Sequence, residues 1–289
     1  MTSTANLSRK ERDESIRRAG LRAAVVFETI RREGEQELGR PAASLAFSGL
    51  AAGLSMGFSL VASGVIRAAL PPAPWRPLLE SIGYTAGFLI VVLARQQLFT
   101  ENTVTAIVPV LDDRGHGRNL VRALRLWAIV LATNLLGAVI FAYAAVHANA
   151  FAPQVAKAFL EIGKEASAPS FGVVFAKGIF AGWLIALMVW LLPAAENSRV
   201  AIVVGITYLV GAAALSHSIA GSVEVLYCVL SGMATWQHYA AGFLLPAFLG
   251  NSLGGVLLVS LLNYGQVAPE AEDEPQEERT TKGSVSAAR

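Results

Sequence analysis

Long uncharged apolar stretches alternate with short charged stretches along this chain. The uncharged stretches occupy residues 41–66, 126–146, 178–195, 200–223 and 239–265. A helix that spans a bilayer needs about 20 mostly apolar residues. Four of the stretches reach that length, and residues 178–195 reach it when residues 171–176 are added. The pattern therefore predicts five membrane-spanning segments.

A sixth segment lies between the first two of these stretches, and it is interrupted. Apolar residues 81–94 and 104–111 flank a polar run that includes Arg95 and Thr100. Neither apolar run crosses a bilayer alone, but together they do. We expect one discontinuous helix, because non-helical backbone is tolerated at membrane depth where it is buried in protein or lines a cavity.

The two halves of the chain resemble each other. Thr100 precedes Asn134 by 34 positions, and His217 precedes Asn251 by the same 34. Paired glycines, which let helices approach closely, occur in the first and fourth segments as Gly53 with Gly57 and Gly178 with Gly182. Three segments per half make the repeats inverted in the membrane. The predicted fold is all-α and integral to the membrane, with six segments in two inverted three-helix repeats and with the second and fifth segments broken.

Charge placement predicts the organisation of the chain and its orientation. Only 15% of the residues are charged, and 54% are hydrophobic. Residues 1–40 are expected to form a cytoplasmic N-terminal segment with an amphipathic helix over residues 8–38, residues 41–265 the transmembrane domain, and residues 266–289 a disordered cytoplasmic tail. Residues 112–125 contain four arginines. Cytoplasmic loops carry the Lys/Arg excess, so this loop and both termini are predicted to lie in the cytoplasm.

His217 and Thr100 are the predicted centre of a permeation site. Inverted repeats with broken helices place such a site near the midplane, between the halves. An ionisable side chain inside a membrane segment is a functional candidate, and histidine exchanges a proton near neutral pH. The alternative interpretations are a packing role for His217 and a helix-capping role for Thr100.

Four charged residues are assigned to the pore or its vestibule: Arg95, Glu101, Lys177 and Glu224. Buried charges in a membrane seek partners. Counted along the second and fifth segments, Arg95 and Glu224 both fall on the outer side of the central site, where we expect them to pair. Lys177 is expected to add positive potential there, which would attract an anion; snorkelling to the headgroups is the alternative.

The sequence contains no motif typical of an enzyme, a metal site or a cofactor site. It has four histidines and one cysteine, and none of them form a ligand cluster. The prediction is a protein without catalytic residues, metal or cofactor, and without a nucleic-acid partner.

Four short runs resemble the formate/nitrite transporter family. Leu98-Phe99-Thr100 is similar to the broken second-helix motif of that family, and Leu215-Ser216-His217-Ser218 to the broken fifth-helix motif. The runs that begin at Gly178 and Pro246 are similar to its fourth- and sixth-helix signatures. The resemblance covers roughly residues 30–265. Arg95-Gln96-Gln97, where formate and nitrite channels have small or neutral residues at the first position, resembles the YfdC-like subgroup of the family.

The resemblance implies an aquaporin-like protomer in a homopentamer, embedded in the lipid bilayer of a bacterial inner membrane. It implies that the protein passes a small monovalent anion or its conjugate acid, proton-linked through the central histidine. Five apolar residues match the constriction positions of the family: Phe88, Leu98, Phe99, Ile185 and Val210. Two other functions remain open: a pore for water or a neutral solute, and a membrane scaffold or sensor that conducts nothing.

Overall fold

The computed structural model describes residues 22–111, 113, 117–195 and 197–266. Within these residues the chain is helical and contains no strand. The α-helices in chain order are α1 (Ala23–Leu38), α2 (Ala42–Ala69), α3 (Arg76–Leu93), α4 (Asn102–Thr105), α5 (Val108–Leu111), α6 (Arg118–His147), α7 (Pro153–Ser167), α8 (Phe171–Leu191), α9 (Arg199–Ala212), α10 (Ala220–Leu230) and α11 (Leu245–Leu253). Wide π-helical turns, His238–Leu244 and Gly254–Leu261, flank α11.

Five of the described helices are long and apolar enough to cross a membrane: α2, α3, α6, α8 extended to Ala194, and the continuous helical run His238–Gln266. The predicted fifth segment instead forms α9 and α10, both of which are shorter than a full span. The predicted third segment begins earlier than expected, since α6 continues through the arginines at its start. The expected helix over residues 8–38 is present as α1 from Ala23; residues 8–21 and 267–289 lie outside the described residues.

Both predicted breaks are present. Residues 94–101 separate α3 from α4, and residues 213–219 separate α9 from α10. Each break begins with a non-glycine residue in the left-handed conformation, Arg95 with φ 53° and Ala214 with φ 48°. This conformation is unfavourable for residues with a Cβ atom. The surrounding contacts therefore impose a sharp change of chain direction at these two positions.

Close packing between helices depends on glycines that face Asn134 and Asn251. A Cβ atom at Gly53 would collide with the main chain of Asn134, and one at Gly182 with that of Asn251. Gly53 in α2 thus corresponds to Gly182 in α8, rather than to Gly178 as the sequence suggested. The predicted register is four residues off because α2 has three glycines at four-residue spacing and the sequence could not select among them. Gly57 instead faces the ring of Phe141.

One helix between the predicted third and fourth segments was not expected. Residues 153–167 form α7, and its apolar side packs on α10 and α2. Phe159 of α7 is fully buried and contacts the ring of Tyr227 edge to face, at 5.3 Å between centroids. The only cysteine, Cys228, is buried beside α7. The helix was missed because its charged side, which includes Lys164 and Glu165, resembles a polar loop.

Candidate permeation site

Thr100 and His217 meet at the centre of the molecule, where the two broken segments face each other. Thr100 Oγ1 lies 2.8 Å from His217 Nε2, and both side chains are buried. The backbone breaks make this contact possible, because an unbroken helix at either position would keep the side chain at the helix surface. The two residues that the sequence assigned to the pore centre are thus in direct contact.

The hydrogen bonds of His217 fix its tautomer. The backbone N–H groups of Ile219 and Ala220 both donate to Nδ1, at 3.2 and 3.1 Å. A nitrogen that accepts hydrogen bonds carries no proton, so in the neutral ring the proton is on Nε2. His217 therefore donates to Thr100. The hydroxyl hydrogen of Thr100 is left available for another acceptor.

Apolar side chains surround the central pair. Phe88 contacts the His217 ring edge to face, with centroids 5.0 Å apart. The five residues predicted to form constrictions, Phe88, Leu98, Phe99, Ile185 and Val210, are all fully buried in one apolar cluster. Their role as a constriction stays a prediction, but an ion that passes between them would lose water without gaining polar contacts.

Asn134 and Asn251 hold the two broken segments in place with matching hydrogen bonds. Asn134 accepts from the N–H of Phe99 at 2.9 Å and donates to the carbonyls of Gln97 and Gly49. Asn251 accepts from the N–H of Ser218 at 2.8 Å and donates to the carbonyls of Ser216 and Gly178.

This correspondence corrects the predicted register at the centre. It pairs Gln97 with Ser216 and Phe99 with Ser218, so Leu98, not Thr100, occupies the position equivalent to His217. The equal 34-residue spacings in the sequence aligned Thr100 with His217, which is two residues away from the structural alignment of Leu98 with His217. Thr100 and His217 meet because they occupy unequal positions in the two halves.

A cavity of about 280 Å³ opens above His217. Charged residues from five helices line it: Arg67, Glu80, Glu165, Lys177 and Glu224. Lys177 and Glu224, which the sequence assigned to a vestibule, are thus on the same cavity as the central histidine. This group of residues is called the vestibule below.

Arg67 binds two carboxylates of the vestibule, and the sequence did not predict this role. Its guanidinium donates to Glu80 at 2.7 and 2.9 Å and to Glu165 at 2.7 and 2.9 Å. Glu80 is also paired with Arg76 at 2.8 Å. At the end of an apolar helix a basic residue usually interacts with lipid headgroups, so no sequence signal distinguished Arg67 from an ordinary interfacial arginine.

The predicted Arg95–Glu224 pair is wrong. Arg95 binds Glu33 of α1 at 3.1 Å, and its side chain is 72% exposed. The reason is the length of α3: its 18 residues extend about 27 Å, nearly the thickness of the hydrocarbon core. The chain is therefore already near the α1 end of the molecule at Arg95, and it returns to the centre before Thr100.

A second buried polar group lies on the α1 side, and Glu101 belongs to it rather than to the vestibule. Glu37 of α1 accepts hydrogen bonds from Gln97 Nε2 at 3.0 Å and Thr105 Oγ1 at 2.8 Å. Oε1 of Glu101 is buried and has no hydrogen-bond partner. Burial raises the pKa of the Glu37 carboxyl above its ordinary value, and the two hydrogen bonds oppose that shift. The sequence gave no sign of this contact, because Glu37 resembles the other charges of an amphipathic helix.

Comparison with known proteins decides the family. The model of the family described as formate/nitrite transporter matches residues 24–265. The chain belongs to the formate/nitrite transporter family. Within this family it is 40% identical over 277 residues to the inner membrane protein YfdC of Escherichia coli K12, with 94% of this chain and 89% of YfdC covered.

Solved structures of the formate/nitrite transporter fold superpose well on this chain. A pentameric formate channel with formate bound covers 77% of this chain and 96% of its own, with a TM-score of 0.66 and 20% identity. An ion channel of the same family covers 84% of this chain and 98% of its own, with a TM-score of 0.69 and 19% identity. These relatives are transporters and channels, not enzymes. With five helices able to cross a bilayer, the chain is a multi-pass membrane protein.

No group of three or more His, Cys, Asp or Glu side chains that could hold a metal ion occurs among the residues with described positions. The polar groups of the site form three sets instead: the vestibule, the central pair, and the group around Glu37 and Glu101 on the α1 side. Such an arrangement suits a path for a small solute.

Proposed function

We propose that the protein is a channel or transporter that passes a small monovalent anion, of the kind of formate or nitrite, or its conjugate acid. The observation that carries the proposal is the buried hydrogen bond between Thr100 and His217, at 2.8 Å, below a charged vestibule and among apolar side chains. Both side chains are hydrogen-bonded, so their burial is satisfied, and the free hydroxyl hydrogen of Thr100 is a donor for a solute among apolar surroundings.

The protomer is proposed to be aquaporin-like, with six membrane segments arranged as two inverted repeats. The proposed path runs between the two repeats. The matching contacts of Asn134 and Asn251, and the left-handed residues Arg95 and Ala214 that begin both breaks, support this arrangement. In it, α3 with α4 and α5 forms the second segment, and α9 with α10 forms the fifth.

Transport is proposed to be proton-linked through the central pair. An anion that reaches the centre accepts a hydrogen bond from the free hydroxyl hydrogen of Thr100, whose oxygen His217 holds in place. Phe88, Leu98, Phe99, Ile185 and Val210 form the dry constrictions on either side. A monovalent acid crosses such constrictions with a smaller desolvation cost than its anion. The anion therefore moves together with a proton taken up from solution on the side of entry, and Thr100, held in place by His217, hydrogen-bonds to the acid at the narrowest point.

We place α1 and both termini in the cytoplasm and the vestibule outside. α8 connects the two ends: Lys177 near its start lines the vestibule, and Ala186 and Val189 near its end pack with Val26 and Phe27 of α1. The arginines at the start of α6 lie on the α1 side, as expected for a cytoplasmic loop.

The assembly is proposed to be a homopentamer in the bacterial inner membrane. α6 supports this, since most of its apolar residues are not buried within the protomer. Val121, Leu124 and Tyr143 of α6 are exposed, and lipid or a neighbouring subunit would cover them.

The test is uptake of labelled formate, and separately of nitrite, into proteoliposomes at about pH 5.5 and about pH 7.5. Wild type is compared with His217→Asn, and His238→Asn is the matched control because His238 hydrogen-bonds to Ser167 away from the centre. We expect flux that rises in acid, and a loss or changed pH dependence in His217→Asn alone. Uptake with no response to acid would favour a neutral-solute pore, and uptake equal to that of empty liposomes would favour a scaffold or sensor.

A further inference from the structure

Four arginines form a patch at the surface of the molecule on the α1 side. Arg118, Arg122 and Arg125 are exposed on one face of α6, at the three- and four-residue spacing of neighbours on a helix. Arg40, between α1 and α2, joins them, because its backbone carbonyl accepts a hydrogen bond from Nη2 of Arg125 at 3.2 Å. These four residues are called the arginine patch below.

No carboxylate in the part of the chain that the structure describes forms an ion pair with the arginine patch. Arg118 and Arg122 make no hydrogen bond or ion pair there, and Arg125 bonds only to a neutral carbonyl. α6 itself contains no acidic residue. Of the acidic residues nearest in the chain, Asp113 accepts a hydrogen bond from a backbone N–H of α6, and Glu37 points inward to the broken segment. The positive charge of the patch is therefore available to a partner outside the chain.

The length of α6 places the arginine patch at the depth of lipid headgroups. α6 has 30 residues and extends about 45 Å, whereas the hydrocarbon core of a bilayer is about 30 Å thick. The uncharged stretch at residues 126–146 is long enough to fill that core. The residues of α6 up to Arg125 then extend into the headgroup layer. In the orientation proposed above, this is the inner leaflet.

The face of α6 that begins with arginines continues as an apolar stripe. Leu136, Ile140 and Tyr143 follow Arg122 and Arg125 on that face, and all three are exposed. A partner that covers the whole face needs an anionic head at the level of the arginines and an apolar body beside the stripe. This is the profile of an anionic phospholipid, and neither a free phosphate ion nor a nucleic acid has it.

We propose that the arginine patch is a binding site for an anionic phospholipid, whose phosphate lies among the guanidinium groups and whose acyl chains lie along the apolar stripe. A planar guanidinium group matches two oxygens of a phosphate. Two arginines of the patch are held in place already: Arg125 by the Arg40 carbonyl, and the Arg40 guanidinium by Ser44 Oγ at 2.9 and 3.3 Å. Because these side chains are ordered before the lipid arrives, binding costs less side-chain entropy than it would for freely snorkelling arginines.

The arrangement of the patch favours a lipid with two phosphate groups. Arg40 lies between α1 and α2, whereas the other three arginines lie on α6. A diphosphate lipid such as cardiolipin can contact both parts of the patch, and a lipid with one phosphate contacts fewer guanidinium groups. The bound lipid then links the junction of α1 and α2 to the start of α6, which stabilises this end of the molecule. The inference does not depend on what the protein transports.

The experiment measures lipid binding to the purified protein in detergent. Native mass spectrometry gives the affinity for cardiolipin, phosphatidylglycerol and phosphatidylcholine, and thermal melts with each lipid give the stabilisation. The variant is Arg118→Gln/Arg122→Gln, in which both replaced side chains lack partners within the described chain. The matched control is Arg199→Gln, which removes an exposed arginine from the start of α9.

Wild type should bind cardiolipin most tightly, phosphatidylglycerol less tightly and phosphatidylcholine weakly. Arg118→Gln/Arg122→Gln should bind cardiolipin about tenfold or more weakly, because each basic residue near a headgroup layer adds to the attraction. It should melt like wild type when no lipid is added, and Arg199→Gln should match wild type throughout.

Three results would overturn the inference. The first is equal binding of phosphatidylcholine and cardiolipin by wild type, and the second is undiminished cardiolipin binding by Arg118→Gln/Arg122→Gln. The third is a thermal stabilisation by inorganic phosphate alone that equals the effect of cardiolipin, since the patch would then bind phosphate without the lipid. If Arg118→Gln/Arg122→Gln instead falls apart into smaller assemblies in gel filtration, a neighbouring subunit covers the patch and the lipid assignment is wrong.

Discussion

Replacing Asn134 with leucine removes three hydrogen bonds and keeps the number and branching of the side-chain heavy atoms, although two methyl groups are bulkier than the amide oxygen and nitrogen. The side chain is fully buried and is bonded to Phe99 N–H at 2.9 Å, to the Gly49 carbonyl at 2.7 Å and to the Gln97 carbonyl at 2.9 Å. The Gly49 carbonyl is inside α2 and keeps its helical bond. The substitution therefore leaves two groups without a partner, Phe99 N–H and the Gln97 carbonyl, both in the broken segment.

The expected cost follows from those two groups. A buried polar group without its partner costs about 1–3 kcal/mol. Hydrogen bonds between ordinary membrane helices average only about 0.6 kcal/mol, because the unfolded state within the membrane finds other partners. The polar backbone groups of the broken segment have no helical partners, so the cost of about 1–3 kcal/mol applies to each of the two groups. Asn134→Leu should therefore destabilise the protein by about 2–6 kcal/mol.

The assay is a thermal melt in detergent, followed by tryptophan fluorescence. A loss of this size should lower Tm by about 3–10 °C. Thr133→Val is the control: Thr133 is the neighbouring residue, and its hydroxyl bonds only within α6, to the carbonyls of Ile129 and Val130. Asn251→Leu should behave like Asn134→Leu, since it loses the same three contacts in the other half. If Asn134→Leu melts within about 2 °C of Thr133→Val, the asparagine does not hold the broken segment and the reasoning is wrong.

Two further predictions concern the charged residues. Arg67→Ala should destabilise by about 1–3 kcal/mol, because it leaves Oε2 of the buried Glu80 without a hydrogen-bond partner while Arg76 still pairs with Oε1. Glu165→Gln should cost less than about 1 kcal/mol, since the Glu165 side chain is 63% exposed; comparable thermal melts for the two variants would contradict this. Because burial raises the pKa of Glu37, the folded state holds that proton more tightly than the unfolded state. The contribution of Glu37 to the docking of α1 is therefore fully present at acid pH, below the ordinary carboxyl value, and is lost as pH rises through the raised value. Protection of the α1 amides, corrected for the intrinsic pH dependence of hydrogen exchange, should fall over that range in wild type and not in Glu37→Gln, and parallel corrected profiles would refute the role of Glu37.

Local patterns in the sequence were sufficient to find the helices and the two breaks. Apolar runs of membrane-spanning length predicted the long helices, and polar residues inside such runs predicted the breaks and the meeting of Thr100 with His217. These features depend on residues close in sequence, and on the rule that polar backbone in a membrane must be buried.

The contacts that the sequence could not predict depend on depth and on distant partners. Arg95 was placed at the wrong end of the molecule because counting residues through a break assumes that the chain keeps its direction, and the left-handed turn at Arg95 reverses it. Arg67, Glu80 and Glu165 form their network across three helices, and Glu37 reaches Gln97 from a helix that looked like a surface element. The pattern of apolar and polar residues within one helix carries no information about partners in another helix.

The two amide groups that hold Nδ1 of His217 have a consequence for the energised membrane. An imidazole conducts protons along a chain of waters by accepting one on the first nitrogen and releasing another from the second. In His217 one nitrogen is occupied by Ile219 and Ala220, so the ring cannot complete that exchange. A pore with this centre would interrupt a proton wire. Under the proposed transport, protons cross only as part of an acid molecule, so an open pore draws on the proton gradient only as fast as it transports solute.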